Sequence, residues 1–171
     1  MIPQEIPNHI KNHVEEIRLR GTYINMAVDV DFILASIIYE IFKQDDLKKI
    51  KNVPLLSGRK NKDLDELTLF EKIDVAKYAI ETYYKNVYDS KIEDINMLDQ
   101  LRDYRNQFSH DRIIIAEIEG KKTIAFSKLI ANYQTFTTPQ YDLKEMWEYL
   151  LNYRERIMQI LDMLKVLLNI E

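Results

Sequence analysis

The sequence predicts an all-α domain that carries one small β-hairpin. Three observations lead there. Glycine and proline are scarce, 3 and 4 in 171 residues, too few for the turns of a sandwich or barrel. Long segments repeat apolar residues at helical spacing. A single β-prone run, Ile113 to Phe126, is interrupted by a glycine.

Residues 8–43 read as helix, started by Pro7 and with a break or close-packing point at Gly21. Ile24, Val28, Phe32, Ile33, Ser36, Ile37 and Ile41 form its expected core stripe. Asp29 and Asp31 interrupt that apolar stretch, and a carboxylate turned inward there needs a partner. Residues 44–65 read as a basic loop around Pro54 and Ser57-Gly58. A helix is expected from about 66 to 88 and another from about 91 to 109, the latter with Ile95, Leu98, Leu101, Tyr104 and Phe108 on one side. Ile113–Ile118 and Thr123–Phe126 form the hairpin around the glycine turn Glu119-Gly120-Lys121-Lys122. Two strands alone are marginal, so the hairpin should pack on helices. Residues 127–140 read as irregular. Asp142 caps a final helix to about 169, with Trp147, Leu150, Leu151, Ile157, Leu161, Leu164 and Leu168 as its stripe. The length suits one domain spanning 1–171, and no repeat or linker divides it.

Composition narrows the chemistry. The chain has no cysteine, which removes disulfides, thiolate metal sites and a cysteine nucleophile and suits a reducing compartment. The net charge of −4 confines any nucleic-acid contact to a local patch. The segment Met1–Pro7 lacks the cationic start and apolar run of a signal peptide. The apolar stretch from Ile157 to Ile170 is broken by Gln159, Asp162, Lys165 and Asn169, so no membrane span is expected. A cytoplasmic location follows as the expectation. His9 and His13 share a helical face, as metal ligands would, but Ile10 stands where a zinc-protease glutamate would be, and neither metal nor cofactor is expected.

One block concentrates groups that move protons or hold phosphates: Arg105-Asn106-Gln107-Phe108-Ser109-His110, followed by Asp111 and Arg112. By the helical period Arg105 emerges inside, or at the edge of, the stripe formed by Leu98, Leu101, Tyr104 and Phe108. A guanidinium there needs a carboxylate or phosphate, and Asp29, Asp31 or Glu40 are candidate internal acceptors. His110 joins Arg105 only if the helix ends near Ser109 or if a second subunit brings another copy close. Arginine with histidine suits RNA cleavage without a metal. The imidazole takes or gives the proton as a 2′-hydroxyl attacks phosphorus, and the guanidinium holds the phosphate oxygens. Asn106 orients the phosphate or the imidazole. Arg102, Arg112, Arg59 and Lys60 are candidate RNA-binding residues.

Arg105-Asn106-x-x-x-His110 at the end of a helix, in a helical chain of this size, resembles the R-x(4–6)-H signature of the HEPN superfamily. The resemblance implies an up-and-down bundle of four or five helices and dimerisation that brings two motifs together. It also implies metal-independent ribonuclease activity of the toxin or defence type. On that likeness Arg105 and His110 carry over as the catalytic pair, with Asn106 as support. The implied partners are RNA, a second copy of the chain, and an antitoxin or regulatory protein. Some toxin members place a modifiable tyrosine two residues past the histidine; here Arg112 stands there. The chain also resembles mannitol-repressor-like proteins, for which no nuclease role is implied. The alternative is therefore a non-catalytic interaction or regulatory module, with Arg105 locked in an internal ion pair.

Overall fold

A computed structural model describes residues 7–43, 66–129 and 135–170. It is mostly helical, with a small antiparallel sheet. The first helix, α1 (Asn8–Lys43), runs 36 residues, about 54 Å at the α-helical rise. The Pro7 carbonyl accepts the amides of Ile10 at 3.0 Å and Lys11 at 3.2 Å, so proline starts the helix as expected. No break occurs at Gly21. The chain then forms two compact units: residues 1–26 with 103–153, and residues 27–102 with 154–171.

In the first unit, α1 up to Met26 buries Leu19, Tyr23 and Met26. Helix α4 (Gln100–His110) leads directly into β1 (Arg112–Ile118), which pairs antiparallel with β2 (Lys121–Leu129). Glu119 and Gly120 make the turn with φ of 51° and 76°, the double left-handed geometry of a two-residue hairpin. The sheet extends beyond the expected hairpin. Residues 127–140, expected to be irregular, contribute the end of β2 and β3 (Thr135–Thr137); β4 (Tyr141–Asp142) follows, and both short strands pair with β2. Thr138 joins them: its hydroxyl accepts the Phe126 amide at 3.0 Å, and its own amide donates to the Phe126 carbonyl at 2.8 Å. The threonine-rich composition of 135–138 fits strand geometry, whereas the absence of an apolar alternation hid it. Ile113, Ile124 and Phe126 share one buried face of the sheet, and Ala125, on the other face, is also buried. Asp142 caps α5 (Leu143–Leu167) by accepting the amides of Lys144 at 2.8 Å and Glu145 at 3.3 Å, the geometry expected of an N-cap.

In the second unit, one expected helix becomes two. Thr68 and Glu71 close a capping box at the start of α2 (Leu69–Tyr83), which satisfies two otherwise orphaned amides. Tyr84, with φ −132° and ψ 48°, separates α2 from α3 (Lys85–Asn96). Neither glycine nor proline marks that break in the sequence. The gap expected between 88 and 91 survives only as a non-helical Lys91 inside α3. A 3-10 turn, Met97–Asp99, leads into α4. The core here includes Val30, Leu34, Ile37, Ile73, Ala76, Ile80, Leu98, Leu101, Ile157, Leu161 and Leu164.

The expected core stripes need correction in two places. Ile24, Val28 and Phe32 are 48%, 61% and 78% exposed, whereas Ile37 and Ile41 are buried. Helix α1 carries two apolar rows with the same period, and periodicity alone does not say which row faces the core. Leu151 is likewise 50% exposed on α5.

Lys72 is buried, and its ammonium donates to Asp31 at 2.7 Å. This answers the partner requirement raised by the aspartates in α1. Asp29 meets Arg154 at 3.3 Å with both side chains about half exposed. Removing one partner of a buried pair strands a charge, whereas an exposed pair contributes little. Asp31→Ala should therefore destabilise the fold by about 2 kcal/mol, and Asp29→Ala by less than about 1 kcal/mol. Urea unfolding followed by circular dichroism checks the difference.

Candidate functional site

The corner between α4 and β1 is built by an arginine from α1. Phe108, buried on α4, stacks on Tyr23 with ring centroids 5.2 Å apart and meets Phe126 edge-on at the same separation. These rings fix the last turn of α4. Its carbonyls lack intrahelical partners, and Arg20 supplies one. The guanidinium donates to the Phe108 carbonyl and, at 2.7 Å, to the Asp111 carbonyl. Glu16, one turn back on α1, accepts from Arg20 Nε at 3.1 Å. A cation is favoured at a helix C-terminus, where the carbonyl ends of the peptide dipoles collect. His110 lies between the two gripped carbonyls and is exposed.

Arg105 is also exposed. Its charge is felt by Tyr23: burial pushes the Tyr23 phenol upward, and Arg105 pulls it back. Of the internal acceptors expected for Arg105, Asp31 pairs with Lys72 and Asp29 with Arg154. The stripe edge on which Arg105 was expected is open to solvent. Helix α4 continues through His110, so residues five apart diverge by about 140° around its axis. One α4 does not bring Arg105 and His110 onto a common face. Asn106 lies in α4, and its side chain is outside the described set.

The candidate RNA-binding residues separate. Arg112 is exposed at the start of β1 and lines a cavity of about 250 Å³ with His9, Asn12, His13 and Glu16. Asn12 anchors this edge by donating to the Ile115 carbonyl at 3.1 Å. Among the described residues, no group of three or more histidines and carboxylates is arranged to hold a metal ion. Arg102 belongs to the second unit, where it donates to Asp74 and, at 3.2 Å, to the Phe70 carbonyl. Its guanidinium also lies 5.7 Å from the Phe70 ring centroid, and its Nε is buried without a partner. That set of contacts makes Arg102 a structural tie. Arg59 and Lys60 lie outside the described residues.

Two features escaped sequence reasoning. One is Arg20, whose sequence signal, Glu16 four residues earlier, indicates only a solvated helical pair. The other is an aromatic cavity of about 420 Å³ in the first unit, lined by Tyr104, Gln107, Phe126, Tyr141, Glu145, Met146 and Tyr149. The Tyr104 and Tyr149 hydroxyls are hydrogen-bonded, and the Tyr104 ring lies 5.0 Å from that of Tyr153. Burial, then the bond to Tyr149, pushes the Tyr104 phenol upward. The lining residues come from α4, β2, β4 and α5, four separated stretches that no local pattern joins.

Two outcomes follow. Arg20→Ala removes the tie on both carbonyls and should cost about 1–2 kcal/mol, with amide hydrogen exchange accelerated over 109–112. Tyr23 and Tyr104 hold their protons more tightly folded than unfolded. The native state then binds more protons than the unfolded chain once pH exceeds the ordinary tyrosine value of about 10. Stability should be intact below that pH and fall above it, read as a lower urea midpoint at pH 10.5 than at pH 8. Compared with known proteins, the chain matches no family model, no curated protein and no solved structure.

Proposed function

We propose that this chain is a metal-independent RNA endonuclease of the HEPN type, working as a homodimer. One observation carries the reading. Arg105 and His110 both reach solvent from an 11-residue helix whose end is held by Arg20. An exposed guanidinium and imidazole on a braced scaffold suit proton transfer and phosphate binding. In this reading His110 takes the proton from the ribose 2′-hydroxyl as that oxygen attacks the adjacent phosphorus. Arg105 binds the phosphate oxygens as charge gathers on them, and the 5′-oxygen leaves with a proton. The divergence of the two residues around α4 makes the second copy necessary, because a partner's α4 supplies the opposite face. Two histidines across a two-fold axis then serve as base and acid.

The aromatic cavity adds a place for a base. Its volume of about 420 Å³ and its tyrosine lining suit stacking of a single nucleobase, a sequence-tolerant contact. Arg112, with His9 and His13 beside it, extends a polar edge suited to backbone phosphate. The reading takes the helices as the four- or five-helix bundle of that superfamily, in the cytoplasm, with an antitoxin or regulatory protein as a further partner. No described helix is long and apolar enough to cross a membrane.

A non-catalytic interaction module is the second reading, favoured by the same angular separation of Arg105 and His110. The two differ in a single-turnover assay on structured and unstructured RNA with chelator present. Cleavage should occur, and His110→Ala should lower its rate by about 10²-fold or more, with Arg105→Ala similarly impaired and the circular dichroism of both unchanged. Full activity in His110→Ala sinks the nuclease reading. No cleavage by the wild-type chain, together with retained RNA binding, selects the module.

A further inference from the structure

Helix α1 is apolar on two opposite sides. Leu19, Tyr23 and Met26 form the buried one. Ile10, Val14, Ile17 and Ile24 form the other and are 45%, 48%, 55% and 48% exposed. Advancing by the helical period places this second row about 170° from the first. With Gly21 included the intervals are four, three, four and three, and Val28, 61% exposed, follows at the next interval of four. That is the heptad seam of a helix paired with another helix.

We infer that this seam is the surface on which a second copy of the chain docks through its own α1. The row is one residue wide and has polar side chains on both sides: Lys11 and Arg18 along one edge, His13 and Arg20 along the other. A lipid surface takes a broader apolar face, whereas a single row at heptad spacing fits a facing helix. Glu15 pairs with Arg18 at 3.8 Å, and Glu16 with His13 at 3.7 Å and Arg20 at 3.1 Å. These intrahelical pairs relieve the like charge that two copies would bring together. The five apolar side chains present on the order of 500 Å², near the upper end of patches found on monomers. With their flanks they approach the roughly 800 Å² per partner that a stable interface buries.

Gly21 is the second observation. It lies mid-helix, where glycine is unfavourable relative to alanine. A Cβ added there would meet nothing within 4 Å, and no left-handed φ demands glycine. Among the described residues nothing accounts for it. In the seam its missing side chain lets a facing helix approach closely.

The test uses the full chain and does not depend on nuclease activity. Analytical ultracentrifugation should show a dimer. Ile17→Asp and Gly21→Leu, both at open positions, should each raise its dissociation constant about 30-fold or more with circular dichroism unchanged. Because the chain has no cysteine, Ile17→Cys gives a single thiol, which a short bis-maleimide should join into covalent dimers. Leu151→Cys, at an exposed site on α5, should not be joined. A monomeric wild type, or a dimer indifferent to both seam substitutions and to the cross-linker, overturns the inference. A seam-dependent dimer that leaves RNA intact upholds the seam and removes the nuclease reading. An active monomer overturns both the seam and the paired-copy nuclease reading.

Discussion

The Arg20 guanidinium holds two backbone carbonyls at once, those of Phe108 and Asp111, and the corner between helix and sheet depends on it. The chain there must leave α4 and enter β1 within one residue, Asp111. Such a corner exposes helix-end carbonyls that water or a side chain has to satisfy. Arg20 does so from a separate helix, 88 and 91 positions away in sequence. Its fork geometry reaches two acceptors that a lysine ammonium would meet only as a point charge. Glu16 fixes the guanidinium from behind, while the Tyr23–Phe108–Phe126 ring stack sets the depth of α4. The exposed groups at the end of α4 thus inherit their position from a tertiary tie.

Much of the secondary structure could be read from residue pattern, and the reasons differ by element. Asp142 announced α5 because an aspartate before a periodic apolar run has one favourable role. Gly120 announced the hairpin turn because glycine takes left-handed φ without strain, while the tightening from four turn residues to two, with Glu119 also at positive φ, was not legible. The break at Tyr84 was invisible, since it follows from packing and not from a glycine or proline. The α1 stripe was misassigned for a different reason. Ile24, Val28 and Phe32 keep helical period as faithfully as the residues that are buried, and hydrophobic period reports amphipathicity without reporting what covers each face.

The site shows the same division between local and tertiary information. The Arg105–His110 block is a string of six residues, so sequence could place both groups on one helix end. Whether Arg105 would be consumed internally depended on competition for the aspartates of α1. Lys72 and Arg154 are the residues that engage those aspartates, and neither lies near the block in sequence. Arg102, three positions before Arg105, shows how sharply the outcome turns with helical phase. It meets Asp74 and Phe70, while Arg105 reaches solvent. Three residues advance a helix by about 300°, and the neighbouring element decides what each guanidinium meets.

Helix α1 links these two themes. Arg20 follows Ile17 by three positions and precedes Ile24 by four, the two spacings that make helix-surface neighbours. The residue that grips the α4 end therefore flanks the exposed apolar row on its own helix. Covering that row would lower the local dielectric around the Arg20–Glu16 pair. It would also remove water that competes for the two gripped carbonyls, which strengthens the clamp. His110 lies between those carbonyls. A second copy seated on α1 would thus stiffen the corner that presents His110. On the proposed pairing, one arginine would couple docking on α1 to the order of the α4 end, so an isolated chain would hold that end less firmly than a paired one.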